Sequence, residues 1–90
     1  MAPNFKLFLH KTRESIHVKM CGDFDGNSAH ELIQALQING PKACEVFIDT
    51  EDLKNISTFG KEVFQNNIGN VKKQSMKLIF IGNNQNKFKL

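Results

Sequence analysis

Two short apolar segments with an amphipathic segment between them constrain the fold of this chain most strongly. Val46-Phe47-Ile48 and Leu78-Ile79-Phe80-Ile81 are apolar at every step and rich in β-branched and aromatic residues, which is typical of strands covered on both faces. Between them, residues 60–71 repeat apolar side chains at helical spacing. A strand, a helix and a strand in this order predict a parallel pair joined by a right-handed crossover.

The polar residues after the first of these strands predict its end and the start of the helix. Asp49-Thr50-Glu51-Asp52 indicates that the strand ends at Ile48. A loop through Asn55 then leads to a helix that begins near Phe59 and Gly60. The helical stripe consists of Gly60, Val63, Phe64, Asn67, Ile68 and Val71.

The first forty residues add two strands and a helix. Residues 5–10 and 16–21 alternate apolar with polar side chains, which predicts a hairpin closed by the polar residues 11–15. Ser28 and Glu31 have the spacing of a capping box, so we expect a helix behind Ser28 that runs to about Ile38. Its apolar stripe consists of Ala29, Leu32, Ile33 and Leu36, and Asn39-Gly40-Pro41 stops it.

These patterns predict an α/β (α+β) fold in the order ββαβαβ, with a mixed sheet of about four strands and two or three helices on one face. Ninety residues, 40% of them hydrophobic, fit one domain over residues 1–90. The longest apolar run has four residues, and the N-terminus lacks the pattern of a secretion signal, so we expect a cytoplasmic protein without a membrane span. After Ile81 the chain loses periodicity, which predicts an extended edge segment or a frayed end.

The net charge of +3 is unevenly distributed. Residues 1–60 hold six basic and eight acidic side chains, a balance of −2, whereas residues 61–90 hold six lysines and one acid, Glu62, a balance of +5. In the basic third only Lys72 and Lys73 are adjacent, and no Arg, Tyr or Trp is present. A solvated face is the favoured interpretation, and a small nucleic-acid-binding domain is the alternative.

The residues that usually carry catalysis are scattered. His10, His17 and His30 have no carboxylate or cysteine at metal-ligand spacing, and Cys21 and Cys44 do not form a CxxC pair. No glycine-rich phosphate loop or GxSxG motif is present in the sequence. We therefore expect no enzyme activity, no metal and no cofactor.

The segment from Asn55 to Gly60 carries the strongest functional signal. Ser57 and Thr58 lie between the end of a predicted parallel strand and the start of a helix, where free amides favour an anion. A phosphoryl group on either hydroxyl would add about −1.5 to −2 charge beside Lys61 and would alter docking of a partner. The alternative is that Ser57 or Thr58 only caps the helix.

Several segments resemble the STAS family, the domain of anti-sigma factor antagonists, sulfate-transporter tails and lipid-transport accessory proteins. Gly22-Asp23-Phe24-Asp25 looks like the family's Gly-x-Leu-Asp turn, and Ala29 to Leu32 like the Ala-x-x-Leu start of its first helix. Glu45-Val46-Phe47-Ile48-Asp49 is similar to its central strand. Ile56-Ser57-Thr58-Phe59-Gly60 falls where the family has Ile-Asp-Ser-Ser-Gly, so Thr58 occupies the position of the phosphorylated serine.

The resemblance implies a non-catalytic interaction module whose partner is an anti-sigma factor, a kinase-like protein or another regulatory protein. Ser57 replaces the family's aspartate and Phe59 its second serine, and the chain stops where the family continues into a last helix, which implies a shortened, divergent member. An accessory subunit of a membrane transport complex is the alternative within the family. The phosphoryl acceptors would be Thr58 or Ser57, and the partner-binding residues would be Asp25, Asn55, Ser57, Thr58, Phe59, Gly60 and Lys61.

Overall fold

A computed structural model describes residues 4–39, 45–72 and 77–88 of the chain. Its elements follow the predicted order ββαβαβ, and a short 3₁₀ turn, Gln85–Phe88, comes after the last strand. The strands are β1 (Lys6–Lys11), β2 (Ser15–Phe24), β3 (Glu45–Ile56) and β4 (Lys77–Ile81), and the helices are α1 (Gly26–Asn39) and α2 (Thr58–Lys72). The predicted stop at Asn39-Gly40-Pro41 and the thiol of Cys44 lie outside the described residues.

The four strands form one mixed sheet in the order β1-β2-β3-β4. β1 and β2 form the predicted antiparallel hairpin, whereas β2 with β3 and β3 with β4 are parallel. Each parallel pair is joined by one helix, as the crossover between parallel strands requires. The mixed four-stranded sheet is therefore confirmed, with two α-helices.

One face of the sheet carries the hydrophobic core. Alternate residues of β2 and β3 point to this face, and the apolar stripes of both helices pack against them. Burying this apolar surface is the main favourable term in folding. The fully or almost fully buried side chains include Ile16, Val18, Met20, Leu32, Leu36, Val46, Ile48, Phe64 and Ile68.

The opposite face of the sheet, called the open face below, carries no helix among the described residues. Phe47 is half-buried there and stacks on His17, with ring centroids 4.9 Å apart and an angle of 14° between the rings. Ile79 is also half-buried, and Ile81 is exposed. The prediction that the two apolar strands are covered on both faces is therefore wrong, because both helices pack on the same face.

β3 is longer than the sequence predicts, since it continues through the polar residues 49–52 to Ile56. These residues find partners that are distant in sequence. The Thr50 hydroxyl donates to the carbonyl of Ile81 at 2.7 Å, and the Asp52 carboxylate pairs with Lys19 at 3.0 Å. The predicted strand end at Ile48 and the loop through Asn55 are wrong, because long-range pairing outweighs the local turn signal.

The segment after β4 folds back onto the core. Gly82 makes the turn with φ of +96°, a conformation that favours glycine. Phe88 is 2% exposed and stacks on Phe80, with centroids 5.2 Å apart, while its ring edge meets Phe24 at 5.0 Å. The prediction of an extended or frayed end is wrong for residues 82–88, because a buried aromatic ring fixes this segment.

Candidate functional site

The carboxyl ends of β2 and β3 place the starts of both helices side by side. Phe24 and Ile56 are paired as the last residues of these strands, and the Ser57 amide donates to the carbonyl of Phe24 at 2.9 Å. Each of these strands is followed directly by a helix, β2 by α1 from Gly26 and β3 by α2 from Thr58. The sequence-predicted site therefore lies at the carboxyl ends of the two central strands, where open parallel sheets commonly bind partners.

Asp25 caps α1. Its carboxylate accepts a hydrogen bond from the Ser28 amide at 2.9 Å, and its carbonyl accepts the first helical bond, from Ala29, at 2.9 Å. The Ser28 amide, with a smaller contribution from the Ser28 hydroxyl, lowers the pKa of the Asp25 carboxyl below its ordinary value. The carboxylate is therefore ionised at neutral pH at the positive end of the helix dipole.

Ser28 is not the cap that the sequence predicts. Its side chain is 1% exposed and lies inside the first turn of α1. The hydroxyl donates to the Asp23 carbonyl at 2.9 Å and also contacts the Asp25 carboxylate at 3.1 Å. Ser28 therefore ties the end of β2 to the start of α1.

Ser57 caps α2 in the same manner. Its hydroxyl oxygen accepts from the Gly60 amide at 2.9 Å, and its carbonyl accepts from the Lys61 amide at 3.1 Å. Thr58, the first residue of α2, has an exposed side chain. The predicted capping role thus belongs to Ser57, and Thr58 is exposed beside it.

Two glycines allow the helix starts to approach each other closely. A Cβ built on Gly60 would lie 2.8 Å from the carbonyl carbon of Asp25, and one built on Gly26 would lie 2.8 Å from a ring carbon of Phe59. Real Cβ atoms do not approach other heavy atoms so closely. At Gly60 the neighbouring atoms belong to the backbone, so this position has no room for a side chain, whereas a side chain at Gly26 would displace the ring of Phe59. Gly60 is buried, and its lack of a side chain allows the two helix starts to pack closely.

Phe59 lies over the start of α1 and remains 67% exposed. The ring of Phe59 lines a shallow depression together with Asp25, which caps α1, and with residues at the start of α1. We call this area the helix-start surface. It consists of Asp25, Gly26, Asn27, His30 and Phe59.

The structure unites some of the sequence-predicted site residues and separates others. Asp25, Phe59 and Gly60 meet directly at the helix starts, next to Ser57. Asn55 lies at the end of β3, where its side-chain amide donates to the Asp23 carboxylate at 2.8 Å. The side chain of Lys61 is half-buried, one turn into α2.

Sequence reasoning missed three members of the helix-start surface: Gly26, Asn27 and His30. Asp25-Gly26-Asn27 carries a strong turn signal, which placed it in a loop before the helix. The available signal was Asp25 itself, a good capping residue with an amide donor three residues later. With the cap at Asp25, His30 falls near the start of α1 and lines the same depression as Phe59.

The described residues form neither a metal-binding cluster nor a membrane-spanning helix. Within residues 4–39, 45–72 and 77–88, no group of three or more His, Cys, Asp and Glu side chains could hold a metal ion. Cys21, a free cysteine, is half-buried. In the same ranges no helix is long and apolar enough to cross a membrane.

Comparison with known proteins defines the fold. No family model matches the chain, and no curated protein matches it in sequence. Solved structures do match, and they show that the chain has the fold of STAS domains, as the sequence resemblance predicts.

Three structures illustrate the match. An antisigma-factor antagonist STAS domain from Rhodobacter sphaeroides has a TM-score of 0.68 at 10% identity, with 90% of this chain and 89% of that chain covered. The anti-sigma factor antagonist SpoIIAA in its unphosphorylated form has a TM-score of 0.60 at 15% identity, with 84% and 70% covered. Mglu in its L-glutamate binding form has a TM-score of 0.74 at 8% identity, with 92% of this chain covered. The chain spans only 27% of that Mglu chain, and it spans 18% of the chain in another Mglu structure.

Proposed function

We propose that this chain is a non-catalytic interaction module that acts as one STAS-like domain over residues 1–90 and docks a regulatory protein through the helix-start surface. The fold supports this partner class, because three of the matching structures are anti-sigma factor antagonists. An anti-sigma factor or a kinase-like regulator is therefore the expected partner.

The exposed ring of Phe59 is the observation that carries this proposal. An aromatic side chain that is 67% exposed costs free energy in water, and this one lies over Gly26 where the two capped helices start. Asp25, Asn27 and His30 surround it with polar groups. An aromatic side chain within a polar rim is the usual arrangement of a binding hot spot.

Phosphorylation of Thr58, or of Ser57, would switch this docking. Thr58 is exposed and is the first residue of α2, where the helix dipole favours negative charge. The Ser57 hydroxyl already accepts from the Gly60 amide, so Thr58 is the more available acceptor. A phosphate beside Phe59 would add charge at the rim of the docking surface and weaken an apolar contact.

Partner capture with matched variants tests the docking surface. Tagged wild-type protein, Phe59→Ala and Ile38→Ala are used as baits in extract of the native cell, and the captured proteins are identified by mass spectrometry. Ile38 is the control because it is 68% exposed on α1, like Phe59 on α2. With the purified partner, we expect Phe59→Ala to weaken the Kd by about tenfold or more and Ile38→Ala to change it by less than about twofold.

The identity of the captured proteins separates the alternatives. A regulatory protein whose binding depends on Phe59 supports the proposal. Capture of membrane ATPase components would instead favour the accessory subunit of a transport complex. Equal binding by Phe59→Ala and wild type would contradict docking through the helix-start surface.

Intact-mass measurement tests the phosphoryl switch separately. Protein purified from its native cell is compared with Ser57→Ala and Thr58→Ala, and we expect the phosphorylated species to disappear in Thr58→Ala. If no growth condition yields a phosphorylated species, the switch is wrong and the docking proposal stands on the capture experiment alone.

A further inference from the structure

The open face of the sheet is a second surface that the proposed function does not use. Pairing across the four strands aligns its side chains in rows, because residues opposite each other in a sheet point to the same face. Two complete rows cross all four strands. In strand order they are His10, His17, Phe47, Ile79 and then Phe8, Lys19, Asp49, Ile81.

These rows form an apolar and aromatic groove on which no described residue packs from above. Phe8 is 55% and Ile81 40% exposed, at opposite edges of the sheet. Between them lies a cavity of about 230 Å³ lined by His17, Phe47 and Asp49, among others. Exposed apolar surface of this kind marks an interaction site.

Charge on the open face is balanced, unlike that of the chain as a whole. The two complete rows hold one lysine and one carboxylate, Lys19 and Asp49. The rows on either side add two lysines and two carboxylates, namely Lys6, Lys77, Glu45 and Asp52. A neutral face of this kind gives no electrostatic preference to a strongly charged partner such as a nucleic acid.

We propose that the open face binds a second copy of this chain, with a twofold axis parallel to the strands and midway between β2 and β3. This rotation places β2 over β3 of the second copy and β1 over its β4, and it keeps each row in register. Lys19 then faces Asp49 of the second copy, and Phe8 faces its Ile81. In the other complete row His17 faces Phe47, a pair of rings that also stack within one chain.

The second possible twofold axis, perpendicular to the strands, gives a worse match. Rotation about this axis places each strand over the same strand of the second copy and exchanges the two complete rows. Lys19 then lies over His17 of the second copy, and Asp49 lies over its Phe47. A carboxylate against an aromatic face loses its hydration without gaining a cation. The complementarity of Lys19 with Asp49 therefore selects the axis parallel to the strands.

The size of the face predicts a weak dimer. Four strands about 4.8 Å apart and four rows about 6.8 Å apart give a footprint of about 19 by 27 Å. Two such faces bury about 1,000 Å² in total, which is below the lower limit for stable complexes of about 1,200 Å². We expect a micromolar Kd, so that the dimer forms and dissociates as the concentration of the protein changes.

Complementary charge reversals test the pairing of Lys19 with Asp49. Lys19→Glu alone would set two carboxylates against each other across the axis, and Asp49→Lys alone would set two ammonium groups against each other. When the two variants are mixed, each reversed residue faces an opposite charge. Sedimentation velocity from about 1 to 500 µM should show a concentration-dependent dimer for wild type, about tenfold or more weaker self-association for each variant, and recovery in the mixture.

Two controls separate this dimer from other effects. Asp52→Asn removes the ion pair within the chain, Lys19 with Asp52 at 3.0 Å, and should leave the dimer intact. Because Asp49 also accepts from the Glu51 amide at 2.9 Å, Phe8→Glu provides a variant without that contact, and Ile38→Glu is its exposed apolar control on α1. Phe8→Glu should dissociate the dimer, and Ile38→Glu should not.

Three outcomes would overturn the proposal. A wild-type chain that stays monomeric up to about 500 µM has no such dimer. A dimer that persists in Lys19→Glu and in Phe8→Glu uses another surface. Failure of the mixed charge variants to associate, with both folded by circular dichroism, would rule out the pairing of Lys19 with Asp49. None of these results bears on partner capture through Phe59, which uses a different surface.

Discussion

Gly60, in the first turn of α2, is packed against the backbone of Asp25, the residue that caps α1. A Cβ at position 60 would lie within 2.8 to 2.9 Å of three backbone atoms of Asp25. Backbone atoms cannot rotate away as a flexible side chain can, so this contact fixes the separation of the two helix starts. The position of Phe59 over Gly26 depends on this separation.

Replacing Gly60 by alanine is expected to destabilise the fold. The methyl group would force the start of α2 away from Asp25, which is an overpacking cost of about 1–3 kcal/mol in the free energy of unfolding. Gly69→Ala in the same helix is the matched control, because a Cβ there meets nothing within 4 Å. Alanine at position 69 should stabilise the protein by about 0.5–1 kcal/mol through its helix propensity. Urea denaturation of both variants measures the two changes, and equal effects at the two positions would contradict the tight packing at Gly60.

The Asp25 cap predicts a loss of stability on truncation. Asp25→Ala leaves the Ser28 amide without its carboxylate acceptor and should lower the free energy of unfolding by about 1 kcal/mol at neutral pH. Asp25→Asn keeps an oxygen acceptor and should cost less. Thermal or urea denaturation of both variants at pH 7 gives the comparison, and equal losses would show that the capping oxygen contributes nothing.

The lowered pKa of Asp25 gives this effect a pH dependence of known sign. A carboxyl whose pKa is lower in the folded state stabilises the fold at pH values above the unfolded pKa, about 3.9, where the group is ionised in both states. That contribution is lost as the pH falls through the folded pKa. The stability difference between wild type and Asp25→Asn should therefore shrink below about pH 4. Glu31→Gln, an exposed acid on the same helix, is the control for general charge effects.

Phe88 should contribute much more to stability than its place in an aperiodic segment indicates. It is 2% exposed and contacts the rings of Phe24, Phe64 and Phe80. Phe88→Ala is expected to cost about 3–5 kcal/mol. Phe59→Ala removes the same atoms from a ring that is 67% exposed and should cost less than about 1 kcal/mol. Similar losses in the two variants, measured by chemical denaturation, would show that residues 85–88 do not pack on the core.

Asn84 supplies donors to the part of β3 that extends beyond β4. Pairing with β4 ends at Asp49 and Ile81, and the Asn84 side chain then donates to the carbonyls of Thr50 at 2.8 Å and Leu53 at 3.2 Å. Asn84→Ala removes both bonds and should cost about 1–3 kcal/mol. Asn83→Ala is the control, because only the Asn83 backbone amide bonds to β3, at Glu51. If both variants unfold at the urea concentration of wild type, these bonds contribute nothing to stability.

Local patterns were sufficient for the order of the elements and for the hairpin, because apolar periodicity reflects which side of each element meets the core. They failed at β3, where Thr50 and Asp52 are polar but are satisfied by Ile81 and Lys19 from other strands. No local pattern contains those partners. The same limit applies to Phe88, whose ring partners lie as many as 64 residues earlier in the chain.

The start of α2 was predicted correctly from the sequence, but the start of α1 was not. The signal from Asn55 to Gly60 identified the start of α2, and Ser57 caps it. The start of α1 was placed three residues late, because Asp25 and Ser28 are both good capping residues and only the fold buries Ser28. The close approach of the two helix starts depends on Gly60, which meets the backbone of Asp25, a residue distant in sequence.

The strand order has a consequence for the folding rate. β2 pairs with β1 through a short hairpin, and such hairpins form in about 1–10 µs. The other edge of β2 pairs with β3, which follows α1 in the chain. This pairing requires closure of a much longer loop and therefore forms later. During this interval β2 presents an unpaired edge and uncovered apolar residues, Ile16, Val18 and Met20, to other chains. Refolding yield should therefore fall with protein concentration, and faster formation of α1 should raise it.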